Sequence, residues 1–304
     1  MNRRNFTQST LIAGMGISSV PNIFSQSVVI APHQFNLMYA PHLGMFKHLA
    51  GDDPIDQLNF MADQGFTAFE DNGMNTRTIA VQEKMAATML KRNLTMGVFV
   101  AYKDFRNPTL ASGKTDDRME FLRQIKASIP VAKRVRAKWV TVVPGTVDLK
   151  LVEDYQTANV IESLKQASAI LEHHGIIMVL EPLNWYRNHA GLYLKESPQA
   201  FQICKAVNSP SCKILFDIYH QQIQEGNLIL NIEKCWDEIA YFQIGDNPGR
   251  KEPTTGEINF MNIFKYIHSR GFNGVLGMEH GNSRPDKAGE IAVIDAYKNV
   301  DDFI

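Results

Sequence analysis

Short apolar segments alternate with longer segments of helical periodicity along most of the chain. Apolar side chains that recur every three to four positions are typical of an amphipathic helix, whereas a short continuous apolar run is typical of a buried strand. Eight such runs predict strands over residues 35–40, 66–70, 95–101, 139–143, 176–180, 214–216, 240–242 and 275–278. Runs without polar alternation, such as residues 176–180, are typical of strands buried on both faces of a parallel sheet.

The intervening segments predict helices over residues 54–64, 76–92, 116–136, 152–174, 197–207, 259–270 and 287–300. Eight strands that alternate with helices, without a hairpin signal between them, predict an α/β protein built as a single (β/α)8 TIM barrel. The alternative, a doubly wound sheet, usually carries a glycine-rich phosphate turn after its first strand. Gly14-Met15-Gly16 precedes the first predicted strand and lacks the third glycine, so we favour the barrel.

The first 27 residues form a separate segment with the features of an export signal. Arg3-Arg4 followed by Phe6 fits a twin-arginine signal, and a short, moderately apolar stretch follows over residues 11–20. Ser25-Gln26-Ser27 is a candidate cleavage site. We therefore expect an export signal over residues 1–27, a barrel domain over residues 28–304 and a periplasmic location. The alternative is a cytoplasmic protein whose N-terminal extension contains a chance arginine pair.

Composition and charge exclude several other classes of protein. The chain has 304 residues, of which 44% are hydrophobic, and this composition excludes a disordered chain. Its 31 Lys and Arg residues balance 32 Asp and Glu residues, whereas a nucleic-acid-binding protein normally has a basic excess. Three cysteines without a Cys-x-x-Cys spacing argue against a disulfide framework and a cysteine zinc site. After the N-terminal segment, we expect no membrane span.

Four residues with oxygen-bearing side chains directly follow the last four predicted strands. Glu181, Asp217, Gln243 and Glu279 are 36, 26 and 36 residues apart, which is roughly one βα unit each. In a barrel these strand ends meet at the carboxyl-terminal face, where active sites lie. Three carboxylates so close repel one another unless a cation compensates them, and oxygen ligands favour Mg2+ or Mn2+ over Zn2+. The alternative for each residue is a cap on a nearby helix. Glu70, at the end of the second strand, could also reach the pocket, but there we favour the helix cap.

The residues that follow these four positions resemble the hydroxypyruvate isomerase family, within the xylose-isomerase-like TIM barrels. The motifs are Glu-Pro-Leu-Asn from Glu181, Asp-Ile-Tyr-His-Gln-Gln from Asp217, Gln-Ile-Gly-Asp-Asn-Pro-Gly-Arg-Lys-Glu-Pro from Gln243 and Glu-His-Gly from Glu279. The similarity is strong from about residue 175 to residue 279 and weaker in the first half. There the fourth strand ends in Val-Val-Pro-Gly, over residues 142–145, instead of the family's histidine- and methionine-containing signature.

The resemblance implies a role for each residue of the candidate site. The positions that align with the four metal ligands of the family are Glu181, Asp217, Gln243 and Glu279. Glu181 and Glu279 also align with the family's acid/base pair, and His220 and Arg250 align with positions that contact the substrate. Glu257, in the Thr-Gly-Glu-Ile-Asn segment, belongs to the motif without an assigned role.

The expected function is a metal-dependent aldose–ketose isomerisation through a cis-enediolate, similar to the conversion of hydroxypyruvate to tartronate semialdehyde. Moving a carbonyl to the neighbouring carbon requires removal and return of a proton, which two carboxylates beside a divalent cation can perform. Arg250 would pair with a substrate carboxylate. The expected partner is a small-molecule carbohydrate or hydroxy-keto acid, with a homo-oligomer as a further expectation. The alternatives are a sugar or inositol-derivative epimerase or dehydratase at the same site, and a non-catalytic carbohydrate-binding barrel.

Overall fold

Nine parallel strand segments line the centre of the computed structural model, which describes residues 32–304. The predicted export signal over residues 1–27 lies outside the described residues. The strands are β1 (Met38–Ala40), β2 (Ala68–Phe69), β3 (Thr95–Met96), β4 (Phe99–Lys103), β5 (Trp139–Val143), β6 (Ile177–Leu180), β7 (Cys212–Asp217), β8 (Ile239–Gln243) and β9 (Val275–Gly277).

The strand order closes the sheet into a barrel. Seven strands are paired in the order β1-β9-β8-β7-β6-β5-β4, and β2 pairs with β3, in each case in parallel. The segments β3 and β4 are the two parts of the third barrel strand, interrupted at Gly97 and Val98. The Glu70 N–H donates to the Pro41 carbonyl across 3.0 Å and so joins the end of β2 to the end of β1. The predicted (β/α)8 barrel is confirmed.

Helices connect successive strands and cover the outside of the barrel. They are α1 (Lys47–Ala50), α2 (Pro54–Asp63), α3 (Ile79–Arg92), α4 (Thr109–Ser112), α5 (Thr115–Val135), α6 (Glu153–Glu172), α7 (Ser197–Val207), α8 (Ile218–Gln224), α9 (Leu228–Cys235), α10 (Phe260–Ser269) and α11 (Lys287–Val300). Short 3-10 helices lie at Met74–Thr76 and Trp236–Glu238. Two of these helices, α8 and α9, lie between β7 and β8, where the sequence pattern predicts none.

Local signals explain where several helices begin and end. The Asp53 side chain accepts a hydrogen bond from the Ile55 N–H at the start of α2, and Pro54 occupies the first helical position. Asp286 caps α11 in the same way by accepting from the Gly289 N–H. At the end of α3, Asn93 adopts the left-handed conformation that terminates many helices.

The barrel interior is a small apolar cluster with one residue from each of the eight barrel strands. Its members are Ala40, Ala68, Val98, Trp139, Val179, Leu215, Tyr241 and Val275. A larger apolar cluster includes side chains of both the strands and the surrounding helices. Because the interior is packed, polar chemistry is confined to the carboxyl-terminal ends of the strands and the loops that follow them.

Among residues 32–304, no helix has both the length and the apolar character that a membrane crossing requires.

Candidate active site

The structure places the four sequence-predicted ligands at the carboxyl ends of four neighbouring strands. Glu181 directly follows β6, Asp217 is the last residue of β7, Gln243 is the last residue of β8, and Glu279 comes two residues after β9. Asp217 and Gln243 lie opposite each other in the β7–β8 register. Glu181 and Glu279 therefore approach from opposite sides of the Asp217–Gln243 pair, because their strands flank β7 and β8 in the sheet.

One carboxylate oxygen of Asp217 caps a helix, and the other faces the candidate site. Its Oδ1 accepts hydrogen bonds from the backbone N–H groups of Tyr219 and His220, at 2.8 and 3.2 Å, and so caps α8. Its Oδ2 lies 3.4 Å from Nη2 of Arg250 and 3.6 Å from Nε2 of His220. The helix-cap alternative holds for one oxygen of this residue, while the other oxygen faces the candidate site.

Burial raises the pKa of two carboxyl groups of the site, and neighbouring carboxyl groups add to the effect. Burial raises the pKa of Glu181 well above its usual range, and the charges of Glu279 and Asp217 raise it further. Burial also raises the pKa of Glu279, to about 7, although the Arg250 guanidinium opposes the shift. Without a compensating positive charge these carboxyl groups therefore retain their protons more readily, and a nearby cation would favour their ionised forms.

Arg250 supplies part of that positive charge. Its Nη2 donates to Oε2 of Glu279 across 2.8 Å, and its guanidinium stacks on the Tyr219 ring, 4.9 Å from the ring centre. These carboxylates hold the pKa of Arg250 above its usual value against the effect of its burial. Glu257, in the same loop, is exposed and accepts hydrogen bonds from Asn247 and Gln222. These contacts give Glu257 a role in holding the loop against α8.

Asn184 holds His220 in a defined orientation. His220 is fully buried, and its Nδ1 lies 2.6 Å from Nδ2 of Asn184. The Asn184 Oδ1 accepts from the backbone N–H groups of Arg187 and Asn188, so Nδ2 is the atom that donates to His220. Burial lowers the pKa of His220 to about 3, so the ring is neutral at neutral pH. With Nδ1 accepting, the proton of a neutral imidazole resides on Nε2.

The proton on Nε2 decides what His220 can do. A protonated ring nitrogen has no free lone pair for a metal ion, but it can donate a hydrogen bond to a substrate oxygen. Nε2 is buried and has no hydrogen-bond partner in the described part of the chain. This arrangement favours a substrate contact over metal ligation for His220, as the resemblance implies.

Glu70 is a site residue for which the sequence interpretation favoured a helix cap over a position in the pocket. Its carboxyl oxygens accept from Nε2 of Gln243 at 2.9 Å and from the Tyr241 hydroxyl at 2.8 Å. The helix-cap interpretation of Glu70 is therefore wrong, because the side chain turns into the barrel, where burial raises its pKa to about 8. The available signal was its position, since Glu70 follows β2 directly, as Glu181 follows β6.

A cavity of about 170 Å³ opens beside these carboxylates. Glu181, Glu279, His220 and Arg250 line it together with side chains from the first half of the barrel, including Asn72, Lys103 and Phe105. The Phe105 ring stacks on His189 with 5.2 Å between ring centres and an interplanar angle of 20°. Asn72 donates to Oε1 of Glu279 across 3.1 Å. These first-half residues do not follow from the motifs, which lie in the second half.

The donor set fits a divalent cation. One carboxylate oxygen each of Glu181 and Asp217 lie within 4.8 Å of each other, and the His220 ring, the proposed substrate contact, borders them. The Oε1 atom of Gln243 is buried and, among residues 32–304, has no hydrogen-bond partner. Carboxylate and amide oxygens are ligands that Mg2+ and Mn2+ prefer, and a divalent charge would offset the repulsion between the carboxylates.

The chain is similar to a family model and to several named proteins. Residues 58–299 match the family model described as xylose isomerase-like TIM barrel. Hydroxypyruvate isomerase from Escherichia coli is 32% identical over 179 residues, which cover 59% of this chain and 69% of that protein. The 2-oxo-tetronate isomerase of Cupriavidus necator is 32% identical over 123 residues, which cover 40% of this chain and 47% of that protein. For several further curated relatives, the chain spans about half of their length.

A solved structure described as AP endonuclease, family 2, from Brucella melitensis superposes with a TM-score of 0.72 at 24% identity. The superposition covers 86% of this chain and 99% of that one. At this level of identity the likeness supports the fold alone.

Proposed function

Because the chain belongs to the xylose isomerase-like TIM barrel family, we propose that it is a divalent-metal-dependent isomerase of a short hydroxy-keto acid. The curated relatives named hydroxypyruvate isomerase and 2-oxo-tetronate isomerase support an isomerase over a non-catalytic carbohydrate-binding barrel. The observation that carries the proposal is the arrangement of Glu181 and Glu279 on opposite sides of the Asp217–Gln243 pair. Two carboxylates in those places can take a proton from one carbon and return one to its neighbour.

The ligands of the cation would be Glu181, Asp217, Gln243 and Glu279, with Mg2+ or Mn2+ as the ion. When bound, the cation stabilises the negative charge that develops as a proton leaves the carbon beside a carbonyl. One of Glu181 and Glu279 removes that proton to give a cis-enediolate, and the other, initially protonated, delivers a proton to the adjacent carbon. The hydroxyl proton moves to the former carbonyl oxygen, so the carbonyl and hydroxyl groups exchange places. His220 donates its Nε2 proton to a substrate oxygen, which steadies the developing charge.

The cavity supports an anionic and small substrate. Lys103 and Arg250 both line it, and each offers a positive charge to a carboxylate. A second cavity of about 290 Å³ adjoins this one and shares Asn72 and Glu279 in its lining, so an acid of three or four carbons has room beside the carboxyl groups. The apolar part of the wall consists of Val100, Phe105, Val143 and Leu183, and the His189 ring stacks on Phe105.

Solvent hydrogen exchange tests the proposal directly. Protein loaded with Mn2+ or Mg2+ is incubated in D2O with hydroxypyruvate or 2-oxo-tetronate, and the carbon-bound hydrogens are followed by NMR. We expect deuterium incorporation and the isomerised product with wild-type protein, and loss of both after chelation by EDTA. Glu181→Gln and Glu279→Gln should each lower the rate by at least about 10²-fold, since proton transfer contributes 10²- to 10⁴-fold.

Glu233→Gln is the matched control, because Glu233 is exposed on α9. Deuterium exchange at an unchanged rate in Glu279→Gln would contradict the acid/base assignment. Activity after complete removal of the metal would contradict the proposed role of the cation. Exchange accompanied by inversion at the same carbon, without carbonyl transfer, would instead identify an epimerase.

The export signal over residues 1–27 remains a proposal of its own, together with a periplasmic location. It rests on Arg3-Arg4, the apolar stretch after them and the Ser25-Gln26-Ser27 site. Replacement of both arginines by lysine in the full chain should retain the protein in the cytoplasm, as cell fractionation would measure. The same distribution of the wild-type and lysine-substituted proteins between cytoplasm and periplasm would contradict the proposal.

A further inference from the structure

Glu70 is a buried carboxyl group outside the proposed ligand set. It is 2% exposed and lies at the end of β2, far along the chain from the four proposed ligands. Each of its oxygens accepts from a different side chain of β8: Oε1 from Gln243 and Oε2 from Tyr241. Removing a carboxyl group from water is unfavourable unless hydrogen bonds compensate the loss, and β8 supplies both.

The contact with Glu70 decides how the Gln243 amide is turned. Nε2 of Gln243 lies 2.9 Å from Oε1 of Glu70 and donates to it, so Oε1 of Gln243 faces elsewhere. Gln243 is held on both sides by its strand neighbours, Asp217 and Gly277. Its Oε1 is buried and, within the described part of the chain, lacks a donor. This buried oxygen, next to Asp217 in the sheet, therefore has a lone pair that can bind a cation.

The other contacts of Glu70 keep its carboxyl group in that position. The Tyr241 hydroxyl lies 3.3 Å from the backbone N–H of Val98 and accepts from it, so its own proton points to Glu70. Gly277 leaves the space that the carboxyl group occupies, because a Cβ there would come within 1.8 Å of Oε2 of Glu70. The same Cβ would lie 3.2 Å from Cγ of Gln243. Strands β2, β8 and β9 are thus built around this carboxyl group.

We propose that Glu70 is a positioning residue that holds the Gln243 amide with its oxygen turned toward the divalent cation. The inference rests on the proposed metal site and adds a residue that acts through a ligand without touching the ion. Groups that hydrogen-bond to metal ligands typically change metal affinity by about 10- to 100-fold when they are removed.

Binding of Mn2+, measured by the EPR signal of the free ion, tests the inference without any substrate. Glu70→Met keeps the length of the side chain but removes the acceptor, and we expect its dissociation constant for Mn2+ to rise by about 10- to 100-fold. Glu70→Gln should stay close to wild type, because its carbonyl oxygen can accept from Gln243. Glu233→Met, the same substitution at an exposed position of α9, is the matched control.

Wild-type affinity in a folded Glu70→Met protein would overturn the inference, and so would equal weakening in Glu233→Met. If Glu70→Met does not fold, the pair Gln243→Glu and Glu70→Gln/Gln243→Glu decides the question. In Gln243→Glu two carboxyl groups face each other, and Mn2+ binding should weaken because residue 243 has no N–H to donate to Glu70. In the double variant residue 70 supplies the N–H and residue 243 the acceptor, so Mn2+ binding should recover. Absence of recovery would overturn the inference. Wild-type protein that binds no Mn2+ would overturn the proposed metal site as well, which separates the two failures.

Discussion

His220 shows how a single neighbouring side chain can set the chemistry of a ring. Asn184 presents an N–H to Nδ1 because its own oxygen is committed to the backbone of Arg187 and Asn188. The neutral imidazole then carries its proton on Nε2, next to the carboxylates. The Glu-Pro-Leu-Asn motif therefore supplies both a proposed ligand, Glu181, and the residue that prepares His220.

Exchanging the donor of Asn184 for an acceptor should reverse the tautomer of His220. Asn184→Asp retains the oxygen that accepts from the backbone but faces Nδ1 with a second oxygen, so Nδ1 must take the proton. We expect the change in 15N–1H spectra of histidine-labelled protein, together with a fall in kcat of about 10²-fold, the size of effect found when one donor to a developing oxyanion is lost. Asn262→Asp, at an exposed position of α10, is the control. An unchanged tautomer would contradict the assignment.

The four proposed ligands could be found from sequence because each follows an apolar run at a strand end. That signal is local in the sequence, and the parallel arrangement of the strands brings the four strand ends close together. The roles of Glu70 and Asn184 are not local, since their partners Gln243 and His220 lie 173 and 36 residues away. Such pairings depend on barrel register and on rotamers, which a periodicity argument does not contain.

At the scale of elements, long helices and buried strands were predictable, whereas short segments next to strands were not. Helix α8 has seven residues and begins directly after β7, because Asp217 ends the strand and caps the helix with the same side chain. Helix α9 has eight residues and follows Asn227, which adopts a left-handed conformation. A helix of two turns shows too few repeats to reveal its period. The first strand is also shorter than predicted, Met38–Ala40 instead of 35–40.

Strand β4 contributes a positive charge to the cavity through its last residue, Lys103. Its ammonium lies 5.7 Å from the centre of the Phe105 ring. If the substrate is an acid, Lys103→Met should raise KM for hydroxypyruvate by about tenfold and leave kcat nearly unchanged, since a hydrogen bond to a charged group contributes about 1.5–3 kcal/mol.

Steady-state kinetics at low and high salt would measure the KM of both proteins. High salt should reduce the difference in KM between wild type and Lys103→Met, because it screens the charge of Lys103. Lys126→Met, at an exposed position of α5, is the control. A wild-type KM in Lys103→Met would leave Arg250 as the cationic group that selects the acid.

At the scale of the whole molecule, the number and order of elements followed from the alternation of apolar runs and helical segments. The eight predicted strands correspond to the eight strands of the barrel, and one residue from each meets in its interior. How the barrel closes could not be predicted, because closure depends on contacts between distant segments. The pairing of β1 with β9 and the bond from Glu70 to Pro41 are two of these contacts.

A third closing contact joins the end of α11 to β1 and predicts a pH dependence of stability. Asp301 accepts hydrogen bonds from the Tyr39 hydroxyl at 2.6 Å and from the backbone N–H of Asn36. Burial nevertheless raises the pKa of Asp301 above its ordinary value of 3.8, so the folded protein binds this proton more tightly than the unfolded chain does. The associated stability is complete below the unfolded pKa and is lost as pH rises through the folded pKa.

Urea unfolding of wild-type protein and Asp301→Asn across a series of pH values isolates this group, because all other titrations cancel in the difference. Asparagine does not titrate, so the free energy of unfolding of wild type relative to Asp301→Asn should decrease as pH rises from about 4 toward neutrality. Asp302→Asn, which alters an exposed neighbour, should show a nearly constant difference. A difference for Asp301→Asn that grows with pH would mean that the hydrogen bonds from Tyr39 and Asn36 outweigh burial and stabilise the ionised form. The contact between α11 and β1 would then be strongest at neutral pH instead of weakest.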